Sequence, residues 1–312
     1  VRSLQLIANN LAPLTLLGAV VGYLHPPVFL WVKPWFASLF AITMFALGTV
    51  LDPAELKQTL REPSRIGLGV LTQYTVMPLL AFTAAVLGGL SPELALGLVI
   101  VGSAPGAMAS NVIVFLAGGA LAYSIALTTV ATLLSPLITP ALVKWLGGVF
   151  LPIDVWGLVK TIILTVLLPL LVGLAVRRGL GTRTRLAAVW APPVATLAIV
   201  LICSYAVAVN QERIAQLGVR LFLLVVLVNA LGYVAGWVLG GLYRFDYPRR
   251  IALTIEIGMQ NAGMGVVLAL ANFTPETALP GALFAVWCIL TAAAATSVLR
   301  YRRGRLWARS PS

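Results

Sequence analysis

One carboxylate, Glu256, stands inside the apolar run "TIEIGMQNAGMG" (254–265), beside the amides of Gln260 and Asn261 and among three glycines. The other acidic residues, Asp52, Glu55, Glu62, Glu93, Asp154, Glu212, Asp246 and Glu276, fall in polar loops or at the ends of apolar runs. A carboxylate at the centre of a bilayer costs about 2.5–3.5 kcal/mol on insertion scales, so it faces a cavity, a cation or a proton path. No lysine or arginine falls at mid-depth of an apolar run to pair with it. What the sequence offers instead is oxygen. Gln73 precedes Pro78 in "QYTVMP", Ser110 and Asn111 follow "GSAPGAMA", and Ser124 and Thr128 share a helix face at i, i+4 spacing. A carboxylate, amides, hydroxyls and carbonyls freed from helices form a hard-oxygen set, suited to an alkali cation rather than a transition metal. One carboxylate offsets one positive charge, and the neutral oxygens leave room for a second ion.

The elements that carry these groups must cross a membrane. The 312 residues are 60 % hydrophobic and 10 % charged, where soluble domains carry roughly 25 % charge. The apolar runs are about 20 residues long, the length of a membrane-crossing helix, and lack the alternation of an outer-membrane barrel. Ten spans are predicted, at 4–24, 34–51, 66–89, 94–117, 122–147, 155–176, 187–209, 217–243, 250–271 and 279–300. The first is expected to be a span rather than a cleavable leader, since further spans follow directly. The charged linker "LDPAELKQTLREPSR" between the second and third spans cannot sit in lipid and is expected to form a short surface helix.

An even number of spans places both termini on one side, and the basic residues then sort themselves. Lys57, Arg61, Arg65, Arg177, Arg178, Arg183, Arg185, Arg244, Arg249, Arg250 and the tail "RYRRGRLWARS" share the side of the termini. Only Lys33, Lys144, Lys160, Arg213 and Arg220 lie opposite. The positive-inside rule makes the richer side cytoplasmic, which predicts a multi-pass cell-membrane protein with both termini inside. The net charge of +12 is therefore topological, and no nucleic-acid partner is expected. The basic tail is read as a cytoplasmic anchor, and Trp31, Trp145 and Trp307 as interfacial anchors. Cys203 and Cys288 both lie in apolar runs, and His25 is the one histidine, too few ligands for zinc chemistry.

The two halves, 1–150 and 151–312, are related by a weak internal repeat. Sliding one onto the other sets "ALGLVIVGSAPGAMASNVIVFLA" (95–117) against "ALTIEIGMQNAGMGVVLALA" (252–271), with Gly102 facing Gly258 and Met108 facing Met264. Each is the fourth of five spans, and repeats of five spans insert in opposite orientations, the plan of many secondary transporters. Both carry helix breakers at mid-depth: Pro105 between Gly102 and Gly106, and Gly258, Gly263 and Gly265 around Asn261. Backbone groups freed there must line a cavity or hold a ligand.

In this order, "QYTVMP", "GSAPGAMASNV", "ALTTVATLLSPLITP" and "EIGMQNAGMG" resemble the bile acid:sodium symporter family, especially its bacterial ten-span members. The resemblance implies two inverted five-helix repeats, with spans 1, 2, 6 and 7 as a panel domain and spans 3–5 and 8–10 as a core containing two crossing broken helices, spans 4 and 9. It implies one sodium site at Ser110, Asn111, Ser124, Thr128 and Glu256. A second would use Gln73, Glu256 and Gln260 with the backbone carbonyls of Ile257 and Met259. An organic anion would bind between core and panel, with Asn261 as its contact. Met108 stands where relatives can carry threonine, and Cys288 follows "VW" where they can carry histidine, so both bear on the substrate pocket.

The expected function is sodium-coupled symport of an organic anion, bile-acid-like or a smaller carboxylate, by alternating access, with likewise two sodium ions as coupling ions and no other cofactor. The alternative is a proton-coupled transporter or exchanger with Glu256 as the proton carrier. An enzyme is not expected, because the chain has one buried acid, no intramembrane histidine and no "HExxH". A passive channel fits two matched helix breaks less well than an occluding site does.

Overall fold

The computed structural model describes residues 11–51, 62–180, 184–288 and 290–292. The N-terminal residues, most of the 51–65 linker, Arg183 and the basic tail with Trp307 lie outside them, and so do the expectations placed there. The described chain is all-helical, the architecture of a polytopic membrane protein, because a helix satisfies its backbone hydrogen bonds internally where lipid offers none. Six of its helical stretches are long and apolar enough to cross a membrane, and four shorter apolar ones accompany them.

In chain order, α1 (Leu11–Leu24), the short α2 (Pro27–Leu30) and α3 (Phe36–Val50) precede α4 (Pro63–Leu87). Next come α5 (Pro92–Gly102), α6 (Ser110–Ala117) and α7 (Leu121–Leu142). A wide π-type turn, Ile163–Leu167, joins α8 (Val155–Ile162) to α9 (Leu168–Leu180). There follow α10 (Thr184–Ala208), α11 (Gln211–Leu242), α12 (Tyr247–Gly258) and α13 (Ala262–Asn272), and a last helix, α14, begins at Leu279.

Starts and stops follow local chemistry. Ser91 and Asp246 cap α5 and α12 by accepting the backbone N–H groups of Leu94 and Arg249, and each cap is followed closely by a proline whose missing N–H costs nothing there. Gly118, at φ 75°, closes α6 in the left-handed conformation that glycine adopts without strain.

Glycines also set how closely the helices meet. Along α11, Gly232, Gly236 and Gly240 recur every fourth residue and face α12, so the two backbones touch. A Cβ on Gly236 would stand 2.8 Å from the Thr254 Cα, with no flexible side chain between to give way. Gly236→Ala is therefore expected to lower stability by about 1–3 kcal/mol, measured as a fall in the melting temperature of the purified protein. Elsewhere α10 packs on α3 and α1, and α9 on α3, while α4 packs on α5 and α11.

Polar clusters gather at the two ends of the helices. At one, Glu62 bonds Arg65 at 2.7 Å and Arg249 at 3.0 Å, and Arg249 also pairs with Asp246. The hydrogen bond from Arg65 holds the Glu62 carboxyl below its ordinary range, with the Arg249 charge adding to the effect. At the other end Arg213 bonds Glu276 at 3.1 Å, and Asn210 donates to the Pro275 carbonyl at 2.8 Å. Trp31 and Trp145 are exposed, as interfacial anchors would be.

Candidate functional site

The site forms where two helices stop in mid-course. The first break, residues 103–109, separates α5 from α6 as Gly102 and Pro105 predict. The second is shorter, residues 259–261, and separates α12 from α13. Gln260 and Asn261 thus lie within the break. Gly258 ends α12, where a Cβ would meet the Tyr233 ring at 2.4 Å. Gly263 and Gly265 lie inside α13, and the space a side chain would fill there is taken by Phe40 and Val101; they serve packing, not interruption.

The two breaks are hydrogen-bonded to each other. Ala107 N–H donates to the Met259 carbonyl at 2.9 Å and Asn261 N–H to the Pro105 carbonyl at 2.8 Å, making a bridge of two extended segments between Gly106 and Gln260. Backbone groups that lost their helical partners find new ones across this bridge, which stops the breaks from exposing raw amides. Asn261 also caps α13, its Oδ1 accepting from Met264 N–H at 3.1 Å.

Glu256 lies one turn before the second break and is 1 % exposed. Its Oε1 accepts hydrogen bonds from Ser110 at the start of α6 and Ser124 on α7. Thr128, one turn along α7, donates to Oε2 at 2.7 Å. Ser124 also reaches Asn111 Oδ1 at 2.7 Å, so all five residues of the first predicted set form one cluster. No ion pair to Glu256 is found among the described residues. Gly106 leaves the space that Oε2 occupies, since a Cβ there would be 2.7 Å away.

Of the second predicted set, Gln73, Gln260 and the Ile257 carbonyl are joined by hydrogen bonds at the bridge, while among the described residues the Glu256 carboxylate bonds only to the first set. Gln73 Nε2 donates to Gln260 Oε1 at 2.7 Å and to the Ala104 carbonyl at 3.1 Å. Gln260 Nε2 donates to the Ile257 carbonyl at 2.8 Å, and the Met259 carbonyl faces Ala107. The three predicted substrate contacts are less alike. Asn261 lies in the break, 8 % exposed. Met108 is half-buried in the first break, its carbonyl accepting from Asn111 Nδ2 at 3.1 Å. Cys288 is 2 % exposed on α14, with its thiol 3.6 Å from the Ala285 carbonyl.

Sequence reading missed Asn229, a buried amide on α11 whose Nδ2 donates to the Gly258 carbonyl at 2.9 Å. The signal was present: the offset relating Gly102 to Gly258 also relates Gln73 to Asn229. It also missed Gly106 as the carboxylate's neighbour, because nothing in a glycine's local sequence tells what fills the space beside it.

Comparison with known proteins is decisive at the family level. The model of the sodium bile acid symporter family matches residues 37–217. The chain belongs to this family. The match contains Gln73, Ser110, Asn111, Ser124 and Thr128, and full-length relatives extend the likeness across Glu256. Over 269 residues the chain is 39 % identical to the uncharacterized sodium-dependent transporter YocS of Bacillus subtilis (strain 168), covering 86 % of this chain and 84 % of that one. It is 34 % identical over 272 residues to the probable sodium/metabolite cotransporter BASS1, chloroplastic, of Arabidopsis thaliana, covering 86 % and 68 %. To the probable cotransporter BASS2, chloroplastic, of Oryza sativa subsp. japonica it is 29 % identical over 308 residues, covering 97 % and 73 %. As a sodium bile acid symporter family member the chain is a membrane transport protein and not an enzyme.

Proposed function

We propose that this protein couples the inward movement of sodium to uptake of an organic anion across the cell membrane, with sodium held where the two helix breaks meet. The observation that carries the reading is the buried Glu256 carboxylate, surrounded by hydroxyl and amide oxygens of α6 and α7 and without a basic partner among the described residues. Every donor atom in the cluster is oxygen, which matches a hard monovalent cation and not a thiophilic metal. One sodium would sit among Ser110, Asn111, Ser124, Thr128 and Glu256. A second would sit with Gln73, Glu256, Gln260 and the Ile257 and Met259 carbonyls. The names of the relatives, a sodium-dependent transporter and a sodium/metabolite cotransporter, support the choice of ion.

Sodium at the first site would tie the two broken helices together, since Ser110 and Asn111 come from one and Glu256 from the other, and so bias alternating access. Ten spans in two inverted repeats, 1–150 and 151–312, are supported by the helical stretches found at each predicted span and by the paired breaks. The close association of α1, α3, α9 and α10 supports a panel built of spans 1, 2, 6 and 7. The clustering of Arg65, Arg249 and Arg177 with polar groups at helix ends supports a cytoplasmic face there, with both termini inside. The anion would approach Asn261, whose Oδ1 is engaged by Met264 N–H and whose Nδ2 keeps its donors for a carboxylate or sulfonate.

The test is uptake by the full chain in liposomes, using a labelled bile acid and a labelled small carboxylate under a sodium gradient or an equal potassium gradient. Uptake is expected to collapse with potassium. Asn111→Ala, which removes the amide between Ser124 and the first break, is expected to raise the sodium concentration for half-maximal uptake by about tenfold. Uptake of equal rate and affinity without sodium, rising steeply with a pH gradient, would move Glu256 to a proton-carrying role.

A further inference from the structure

The last turn of α12 ends in three consecutive carbonyls, and each is held by a different element. Ile257 O accepts from Gln260 Nε2 at 2.8 Å, Gly258 O from Asn229 Nδ2 at 2.9 Å, and Met259 O from Ala107 N–H at 2.9 Å. Of these donors, only Asn229 comes from outside the two broken helices. Asn229 lies on α11, is 1 % exposed, and sits in line with the glycines that let α12 approach. One turn on, Gly232 offers no side chain toward Ile257 O, which would lie 3.3 Å from its Cβ. So α11 grips one carbonyl and leaves its neighbour to the site.

Asn229 is itself held. Thr291 Oγ1 donates to Asn229 Oδ1 at 2.9 Å, and the Tyr233 hydroxyl lies 3.5 Å from Thr291 Oγ1. A carbonyl can only accept, so the Gly258 bond fixes which end of the amide is Nδ2, and Oδ1 is then left for Thr291. Thr291 Oγ1 also lies 3.1 Å from the Trp287 and Cys288 carbonyls of its own helix, and its bond to Asn229 Oδ1 is the shortest of the three, so donors run from Thr291 to Asn229 to Gly258, an order in which each bond polarises the next. The Tyr233 ring also packs against Gly258 itself, the residue whose carbonyl Asn229 holds. Gln73, which the repeat offset pairs with Asn229, likewise holds a backbone carbonyl: it donates to Ala104 O in the first break, as Asn229 does to Gly258 O just before the second.

We propose that Asn229 is a positioning residue for cation binding, which pins the Gly258 peptide and thereby aims the flanking Ile257 and Met259 carbonyls at the ion. This rests on the sodium reading above. Turning the Gly258 carbonyl would swing both neighbouring peptides, because successive carbonyls share the backbone dihedrals between them. Thr291 acts through Asn229 by fixing its amide.

The experiment is sodium binding to the purified full chain, followed both as radiolabelled sodium bound and as the rise in melting temperature on titration. It compares the parent with Asn229→Leu, which keeps volume and removes the amide, and with Thr291→Val. Asn229→Leu is expected to raise the half-saturating sodium concentration about tenfold, and Thr291→Val about threefold. Anion affinity at saturating sodium should stay at the parent value. A parent that shows no sodium binding overturns the sodium reading, and this inference with it. A parent that binds sodium while both variants keep its half-saturation overturns this inference alone, and a lowered melting temperature with unchanged half-saturation does the same by making Asn229 merely structural. If Asn229→Leu does not fold, Thr291→Val decides by the same shift or its absence.

Discussion

Alanine or glutamine in place of Glu256 is expected to reduce sodium-driven uptake by on the order of 100-fold or more. The carboxylate is the one full negative charge in the cluster, and removing one partner of a buried ion pair costs about 3–5 kcal/mol. Glutamine keeps the shape, and its carbonyl and amide can still meet Ser110, Ser124 and Thr128, so the loss it causes is a loss of charge. The same variants should lose the stabilising effect of sodium. A ligand at 100 times its dissociation constant stabilises the folded state by about 2.7 kcal/mol, so the parent's melting temperature should climb with sodium while the Glu256 variants stay level. A Glu256→Gln protein that still takes up anion under a sodium gradient at the parent rate would remove the carboxylate from the mechanism.

Gly106→Ala is expected to be nearly as damaging, although it adds one methyl group and removes no ligand. Its Cβ would fall 2.7 Å from Glu256 Oε2, inside contact distance, and Gly106 is tied to Gln260 by the bridge between the breaks. Either the carboxylate swings away from Thr128 or the two breaks separate. Displacements of about 1 Å in a preorganised site can cost on the order of 100-fold in rate, and a fall of that order in sodium-driven uptake is expected, with a raised sodium requirement. Parent-like sodium half-saturation in this variant would mean that the carboxylate does not occupy that place when the ion is bound. Gly67, with open space around its missing Cβ, supplies the control: Gly67→Ala should leave uptake unchanged.

The sequence by itself determined the class of the protein and named the oxygen-bearing side chains gathered around Glu256. Apolar runs of spanning length make helices because lipid leaves the backbone no other partner. A single mid-span acid without a basic neighbour marks a site for the same reason, the cost of a charge in hydrocarbon. Pro105 and the glycines beside it announced the first break, and Gln73, Ser110, Asn111, Ser124, Thr128 and Gln260 were legible as oxygens in unlikely places. What they would touch was not. The bonds from Ser110, Ser124 and Thr128 to Glu256 join residues more than a hundred positions apart, and no local rule fixes which faces of α6, α7 and α12 meet. The roles of the glycines were also undecided, since flexibility and close packing use the same residue: Gly258 ends a helix, Gly263 and Gly265 admit neighbours, and Gly106 makes room for a carboxylate. Asn229 shows the division most plainly. Its sequence reveals a polar side chain in an apolar span, but only the packing of α11 on α12 brings that amide to the one carbonyl it holds.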